Sequence, residues 1–432
     1  MKKTFFSYSL GCRVNQAEIE SFDQSLQAAG WIKTEVNPQF IIINTCTVTE
    51  KADREARQLI YKLNKKFPQA KIVATGCALT YWVKTGKLHQ LLPFIDLFFE
   101  NKDKADLPKI LAGKNFSFNN GSNYGNYTGD KYINSGRILI KIQDGCQRFC
   151  TYCIVPYLRG LPKSKKISQI LKEINQLSIL TSPLAEVILT AVNTEAFGLD
   201  TGENLIDLLK AIIEKTAVPR ISFGSINLWS LDKKFFSFYK KYQYHQRLVD
   251  FFHIPLQSGS NKILKLMKRG YQKNDFAEQI EKLHQINPLA FIASDVIVGF
   301  LGESDKDFEE TYRFIEKSPI YRLHVFRFSK RVNTAAAFLA QKISEPSLIV
   351  KKKRSQALLK LSQKKFYSFQ LKHLKKTFSA LFIDKFKKNY QPVLLSNQMP
   401  ALVKTEKNLA GQIKKVFIEQ IKNGSLVGKI VG

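Results

Sequence analysis

Residues 138–160 read ILIKIQDGCQRFCTYCIVPYLRG, and this stretch decides the fold. Ile138–Gln143 is a short apolar, β-branched run of strand type. It feeds a loop made tight by Asp144-Gly145 on one side and by Pro156 and Gly160 on the other. Loops at the C-terminal ends of strands are where α/β barrels place their chemistry. Inside this loop three residues separate Cys146 from Cys150, and Thr151-Tyr152 separate Cys150 from Cys153. Three thiolates so close can hold one 4Fe-4S cube. A cube has four irons, so three protein ligands leave one iron open to an external ligand. Zinc would need a fourth ligand, and no other Cys or His lies nearby.

Outward from this loop the chain repeats strand and helix. Candidate strands after Ile138–Gln143 are Glu186–Thr190, Arg220–Phe223, Asp250–His253, Ala290–Val298 and His324–Phe328. Helical periodicity fills the gaps at Gln169–Leu180, Asn204–Lys215, Phe276–Gln285 and Lys306–Lys317. About six such units predict an open, partial (β/α) barrel. Before it, Phe5–Ser9, Phe40–Asn44, Lys71–Thr75 and Ile95–Phe99 read as strands. They alternate with helices at Gln16–Ala29, closed by Gly30, and Ala52–Lys66. That predicts an N-terminal parallel βα domain. Asn115–Gly136 is rich in Asn, Gly, Ser and Tyr and reads as a linker. Beyond a basic helix from Lys351 to about Lys375, the short runs Phe378–Ile383, Val393–Leu395, Val416–Ile421 and Leu426–Ile430 predict a small β-barrel. The expected fold is therefore α/β, with a domain at 1–114, a linker at 115–136, a core at 137–365 and a barrel at 366–432.

The balance of charge points to a polyanion. Lys plus Arg number 67 and Asp plus Glu 36, a net charge of +31. From 351 to 432 the count is 19 against 3, so the excess is local and favours a nucleic-acid surface. Lys351-Lys352-Lys353-Arg354, with Lys372, Lys375 and Lys376, is the candidate phosphate-tracking surface. Six Cys in 432 residues are too few for a secreted disulfide scaffold. No run approaches the ~20 apolar residues that span a bilayer, so no membrane partner and a cytoplasmic setting are expected. The six His show no metal spacing.

The other three Cys stand far apart in sequence but in like settings. Cys12, Cys46 and Cys77 each follow a candidate strand, beside Gly11, Asn44-Thr45 and Gly76. In a parallel sheet those strand ends share one edge, so three loops there can converge. Scattered single Cys are also common as small buried hydrophobes, and spacing alone leaves both readings open.

Several motifs resemble one family, the methylthiotransferases. They are Gly11-Cys12-Arg13-Val14-Asn15-Gln16, Asn44-Thr45-Cys46-Thr47-Val48-Thr49-Glu50-Lys51-Ala52-Asp53-Arg54, Thr75-Gly76-Cys77-Ala78, Cys146 through Gly160, His253–Ser260 and Asp295–Phe300. Asn423–Gly428 is similar to part of the family's C-terminal TRAM domain. The resemblance spans essentially the whole chain. It implies a radical S-adenosylmethionine (SAM) enzyme with two 4Fe-4S clusters, one on each Cys triad. SAM would bind the open iron of the Cys146, Cys150, Cys153 cluster, with Asn193, Gln257 and Ser258 as candidate contacts. The second cluster, on Cys12, Cys46 and Cys77, would handle the inserted sulfur. Tyr152 could shield the first cluster, and Arg159 could meet the SAM carboxylate or an RNA phosphate.

Within the family, Val14-Asn15-Gln16 resembles the branch that acts on N6-threonylcarbamoyladenosine at position 37 of tRNA, beside the anticodon. The product there is the 2-methylthio derivative. Asn227-Leu228 and Arg327 depart from that branch's usual Glu-Pro and Pro. Implied partners are the anticodon stem-loop of tRNA and an external reductant, and a monomer is expected. Rival readings are the isopentenyladenosine branch, a ribosomal-protein aspartate as substrate, and a non-catalytic iron–sulfur RNA-binding protein.

Overall fold

The computed structural model of the chain describes residues 2–113, 133–180, 183–242, 247–385 and 389–431. The expected linker lies outside the described residues as far as Tyr132.

The first sheet holds β1 (Thr4–Ser9), β2 (Ile32–Lys33), β3 (Phe40–Thr45), β4 (Lys71–Gly76) and β5 (Leu97–Phe99). They run parallel in the order β2-β1-β3-β4-β5. Ile41-Ile42-Ile43 shows no polar alternation because both faces of β3 are covered. Ile41 and Ile43 pack with Ile60 and Leu63 of the helix Glu50–Lys66. Ile42 packs with Phe22 and Leu26 of the helix Arg13–Ala28. The helix Glu50–Lys66 starts two residues before the apolar pattern does. Its cap is Thr49, whose Oγ1 accepts from Ala52 N at 3.1 Å. The helix Cys77–Lys84 is not expected from the sequence: it begins directly on Gly76, with no capping side chain to announce it.

The second sheet contains β6 (Arg137–Asp144), β7 (Lys163–Ser164), β8 (Glu186–Ala191) and β9 (Arg220–Phe223), ordered β7-β6-β8-β9. A third contains β10 (Phe251–His253), β11 (Phe291–Val298) and β12 (Ile320–Arg327), ordered β10-β11-β12. Ile221 bridges to Leu248, and Ile226 N donates to His253 O at 2.9 Å, which carries β9 on towards β10. Apart from the antiparallel hairpin arm β7, the six strands are parallel and curve into an open barrel. Among the described residues β6 and β12 do not pair, so the barrel stays partial, as expected. β12 starts four residues before the expected His324, because Arg322 and His324 interrupt the apolar pattern while Ile320 and Tyr321 are buried.

Several contacts set the N-terminal sheet against this barrel. The helix Arg13–Ala28 packs on β6 and β8, where Ala17 meets Leu139 and Ile188. Arg331, just past β12, donates to Asp53 Oδ2 at 3.1 Å and to Thr47 Oγ1, next to Cys46.

The helix Leu348–Leu371 lies along β12, and Ser362 Oγ accepts from Leu323 N at 2.9 Å. Its basic run is not a uniformly solvated face. Arg354 is buried against Glu303 at 2.6 Å and Asp305 at 2.8 Å, and Lys351 is buried against Glu345 at 2.9 Å. Lys352 and Lys353 remain exposed. The chain then forms a closed barrel from β13 (Thr377–Phe382), β14 (Tyr390–Leu395), β15 (Pro400–Lys404), β16 (Ile413–Lys422) and β17 (Ser425–Ile430). Closure leaves no unpaired edge. Asn423 and Gly424, both at positive φ, make the tight β16–β17 turn.

Candidate active site

The loop after β6 is fixed from several sides. Gly145 sits at φ +76°, and a Cβ there would lie 2.1 Å from Leu161 O, so only glycine fits. Cys146 N donates to Gly160 O at 3.0 Å, and Cys153 N to Cys150 O at 2.9 Å. Thr151 ties the loop to the barrel: its N donates to Met267 O at 3.1 Å and its Oγ1 to Leu266 O at 2.8 Å. These bonds hold Phe149 at φ +46°, a conformation that costs a side-chain-bearing residue roughly 1 kcal/mol or more.

A cavity of about 350 Å³ opens in front of the loop, and Cys146, Cys150 and Cys153 all line it. Gln257 stands on its wall at φ +71°, and its buried Oε1 has no hydrogen-bond partner. A polar ligand in the cavity would satisfy that acceptor. Asn193 and Ser258 are not on the wall. Asn193 Oδ1 accepts from Glu195 N at 3.3 Å, although its buried Nδ2 also lacks a partner. Ser258 Oγ accepts from Ser260 N at 3.2 Å. Tyr152 lines the cavity and meets Arg269, whose Nη1 is 3.4 Å from Cys150 Sγ and 3.4 Å from the Tyr152 hydroxyl. The cavity also takes in Val48 and Thr49, from the loop after Cys46. The N-terminal sheet thus reaches the same space.

The second triad sits where strand geometry predicts. β1, β3 and β4 are neighbours, and Cys12, Cys46 and Cys77 follow their C-terminal ends. Close approach is built in by glycine. A Cβ on Gly11 would lie 2.5 Å from Cys46 Sγ, and one on Gly76 would lie 2.3 Å from Asn44 Oδ1. Asn15 Nδ2 staples the edge by donating to Leu10 O at 2.8 Å and Thr45 O at 3.0 Å. Cys46 and Cys77 are buried and Cys12 is exposed.

The donor sets fit a cationic cluster. Burial, then the neighbouring Cys77 and Cys12, push the Cys46 thiol up to about 12. Burial, then Cys150, do the same to Cys153, also to about 12. Thiols that resist ionising alone give up their protons to a metal centre placed among them.

Two groups of functional side chains lie outside the sequence reading. His253, Asp295 and His324 come together from β10, β11 and β12. His253 Nε2 lies 2.8 Å and His324 Nδ1 3.4 Å from Asp295 Oδ1. Burial would raise the Asp295 carboxyl, but hydrogen bonds from the two imidazoles hold it well below the usual carboxylate range. Asp295 lines the cavity as a fixed anionic acceptor. Only strand register could have found this group, since Asp295 pairs with His324 across β11 and β12. The second group surrounds Arg159, whose side chain is 2% exposed and does not line the cavity. Its Nε is 3.3 Å from Cys77 Sγ. The expectation of a SAM or phosphate contact is therefore replaced by a contact to the other triad. The Arg159 side chain crosses to the N-terminal sheet, and local sequence carries no sign of that.

An open βα barrel with three thiols on the loop after its first strand defines a radical SAM enzyme. Residues 140–315 match the radical SAM superfamily, and residues 4–100 match the uncharacterized protein family UPF0004. The threonylcarbamoyladenosine tRNA methylthiotransferase MtaB of Aquifex aeolicus is 34% identical over 87% of this chain and 92% of its own length. The tRNA-2-methylthio-N(6)-dimethylallyladenosine synthase of Natranaerobius thermophilus is 28% identical over 99% of this chain and 97% of its own. The chain belongs to the radical SAM tRNA methylthiotransferase family. The fold is similar to that of TsrM, a radical SAM methyltransferase from Kitasatospora setae solved with cobalamin and a 4Fe-4S cluster. The TM-score is 0.53 at 12% identity, covering 76% of this chain and 75% of that one.

Proposed function

We propose that this chain converts N6-threonylcarbamoyladenosine beside the anticodon of tRNA to its 2-methylthio derivative. Cys146, Cys150 and Cys153 would hold the 4Fe-4S cluster that binds SAM, and Cys12, Cys46 and Cys77 a second one. When bound, these groups supply reductive cleavage of SAM and the sulfur. The residues of the chain do the rest. Gln257 Oε1 offers an acceptor to SAM from the cavity wall, and Tyr152, packed edge-on against Phe300, would shield the first triad. Asp295, held ionised, can accept a hydrogen bond from a base amino group. Thr47–Thr49 brings the second triad's loop to the rim.

The observation that carries this reading is that one cavity is lined by the first triad and by the residues that follow Cys46. A non-catalytic iron–sulfur protein has no use for such convergence. The basic C-terminal region supports an anticodon stem-loop as the docked element, with phosphates fixing register and the cavity choosing the base. The same reading keeps an external reductant, a monomeric chain, a cytoplasmic setting and domains at 1–114, 137–365 and 366–432. No described helix is long and apolar enough to cross a membrane.

The test is anaerobic turnover of the reconstituted chain with SAM, a reductant and two stem-loops, one carrying threonylcarbamoyladenosine and one isopentenyladenosine. Methylthiolation confined to the first is expected. Reaction of the second alone would move the chain to the other branch.

A further inference from the structure

Behind the second triad lies an ionic network, buried at Glu18, Lys104 and Arg159 and partly exposed at Lys141 and Asp144, that the sequence does not announce. Arg159 Nη1 donates to Glu18 Oε1 at 3.0 Å and to Asp144 Oδ1 at 2.8 Å, and Nη2 donates to Asn15 Oδ1 at 2.6 Å. Lys104 Nζ lies 2.6 Å and Lys141 Nζ 2.9 Å from the same Glu18 Oε1. Lys141 also reaches Asp144 at 3.0 Å. The connected set holds three cations, Lys104, Lys141 and Arg159, against two carboxylates, Glu18 and Asp144. One positive charge is therefore in excess.

That excess is directed at sulfur. Arg159 Nε points to Cys77 Sγ at 3.3 Å, and Asn101 Nδ2 to the same sulfur at 3.6 Å. Three thiolates on a cube whose core carries two positive charges have one net negative charge. That charge and the excess of the network cancel. Hydrogen bonds to cluster sulfurs and nearby cations both stabilise the reduced form, which carries the extra electron.

We infer that Arg159 is the potential-setting residue of the centre on Cys12, Cys46 and Cys77. It neutralises that centre from behind and holds Cys77 in place through a charge-assisted hydrogen bond. Lys141 and Lys104 supply the balancing charge. This rests on the reading that those three Cys hold a cluster.

The test uses the full chain carrying Cys146→Ala, Cys150→Ala and Cys153→Ala, so that one centre remains, reconstituted with iron and sulfide and followed by a redox titration with paramagnetic resonance. Arg159→Met is expected to keep the iron and move the midpoint to lower potential, and Arg159→Lys to recover most of the shift. A midpoint unchanged in Arg159→Met with iron retained overturns the inference. If Arg159→Met loses iron, Lys141→Met decides. It removes one cation of the network without touching a sulfur, so it must lower the midpoint too, and an unchanged value there overturns the inference. No iron in the parent chain with Arg159 intact would instead remove the second cluster itself.

Discussion

At the scale of the residue, small groups hold the sulfurs and one orphan atom waits on the cavity wall. Gly11 is the sharpest case. A methyl group there would sit 2.5 Å from Cys46 Sγ, at φ +91°. Gly11→Ala is expected to halve the iron of the reconstituted chain, from about eight to about four per chain, and to leave the loop after β6 loaded. Iron and sulfide assays read this directly, and full iron would contradict it. Gln257→Leu removes the unpartnered acceptor and is expected to weaken SAM binding about tenfold, roughly 1.4 kcal/mol, in equilibrium dialysis. The placement of the six cysteines just after strand ends was legible because strand pattern is local, whereas the grouping of Cys12, Cys46 and Cys77 came from the family resemblance. Arg159, Arg269 and Asp295 were not. Each acts on a partner more than 40 residues away or across a strand pair, and single-sequence periodicity carries no such information.

At the scale of the element, β3 and β6 were readable because their burial leaves continuous apolar runs. β12 was readable only in its second half, and β15 and the helix Cys77–Lys84 were not readable at all. The basic helix departs from expectation at two of its four leading cations. Lys351 and Arg354 carry the same charge as Lys352 and Lys353, but they are buried because Glu345, Glu303 and Asp305 receive them.

His373 closes the far end of that helix region against the small barrel. Its Nδ1 faces Phe369 O at 2.8 Å and its Nε2 faces Asn397 Nδ2 at 2.8 Å. Burial, helped by nearby lysines, lowers its pKa to about 4. The folded state thus binds fewer protons than the unfolded chain between about pH 6.5 and 4. Stability from this group is intact above about pH 6.5 and is lost as the pH falls to about 4, a change of about 3 kcal/mol. Urea unfolding across that range should show the slope, and His373→Gln should flatten it. An equal slope in both proteins would contradict the assignment.

At the scale of the whole molecule, three units converge on one task. The N-terminal sheet lends the loop after Cys46 to the cavity of the open barrel, while the closed barrel and its neighbouring helix present exposed Lys352, Lys353, Lys372, Lys375 and Lys376. Replacing these five with Gln is expected to weaken tRNA binding without regard to sequence. It should also flatten the dependence of log affinity on log salt, by about 0.7–0.9 for each phosphate that is no longer neutralised. An unchanged slope would place the RNA elsewhere.

The proposed activity is methylthiolation of one hypermodified adenosine by a chain with two cysteine triads. Its most direct measurement is mass spectrometry of tRNA nucleosides from a host lacking its own enzyme, expressing either this chain or its Cys46→Ala form. The methylthiolated threonylcarbamoyl nucleoside should appear with the first and vanish with the second. Methylthiolated isopentenyladenosine in its place, or the same product from Cys46→Ala, would contradict that activity.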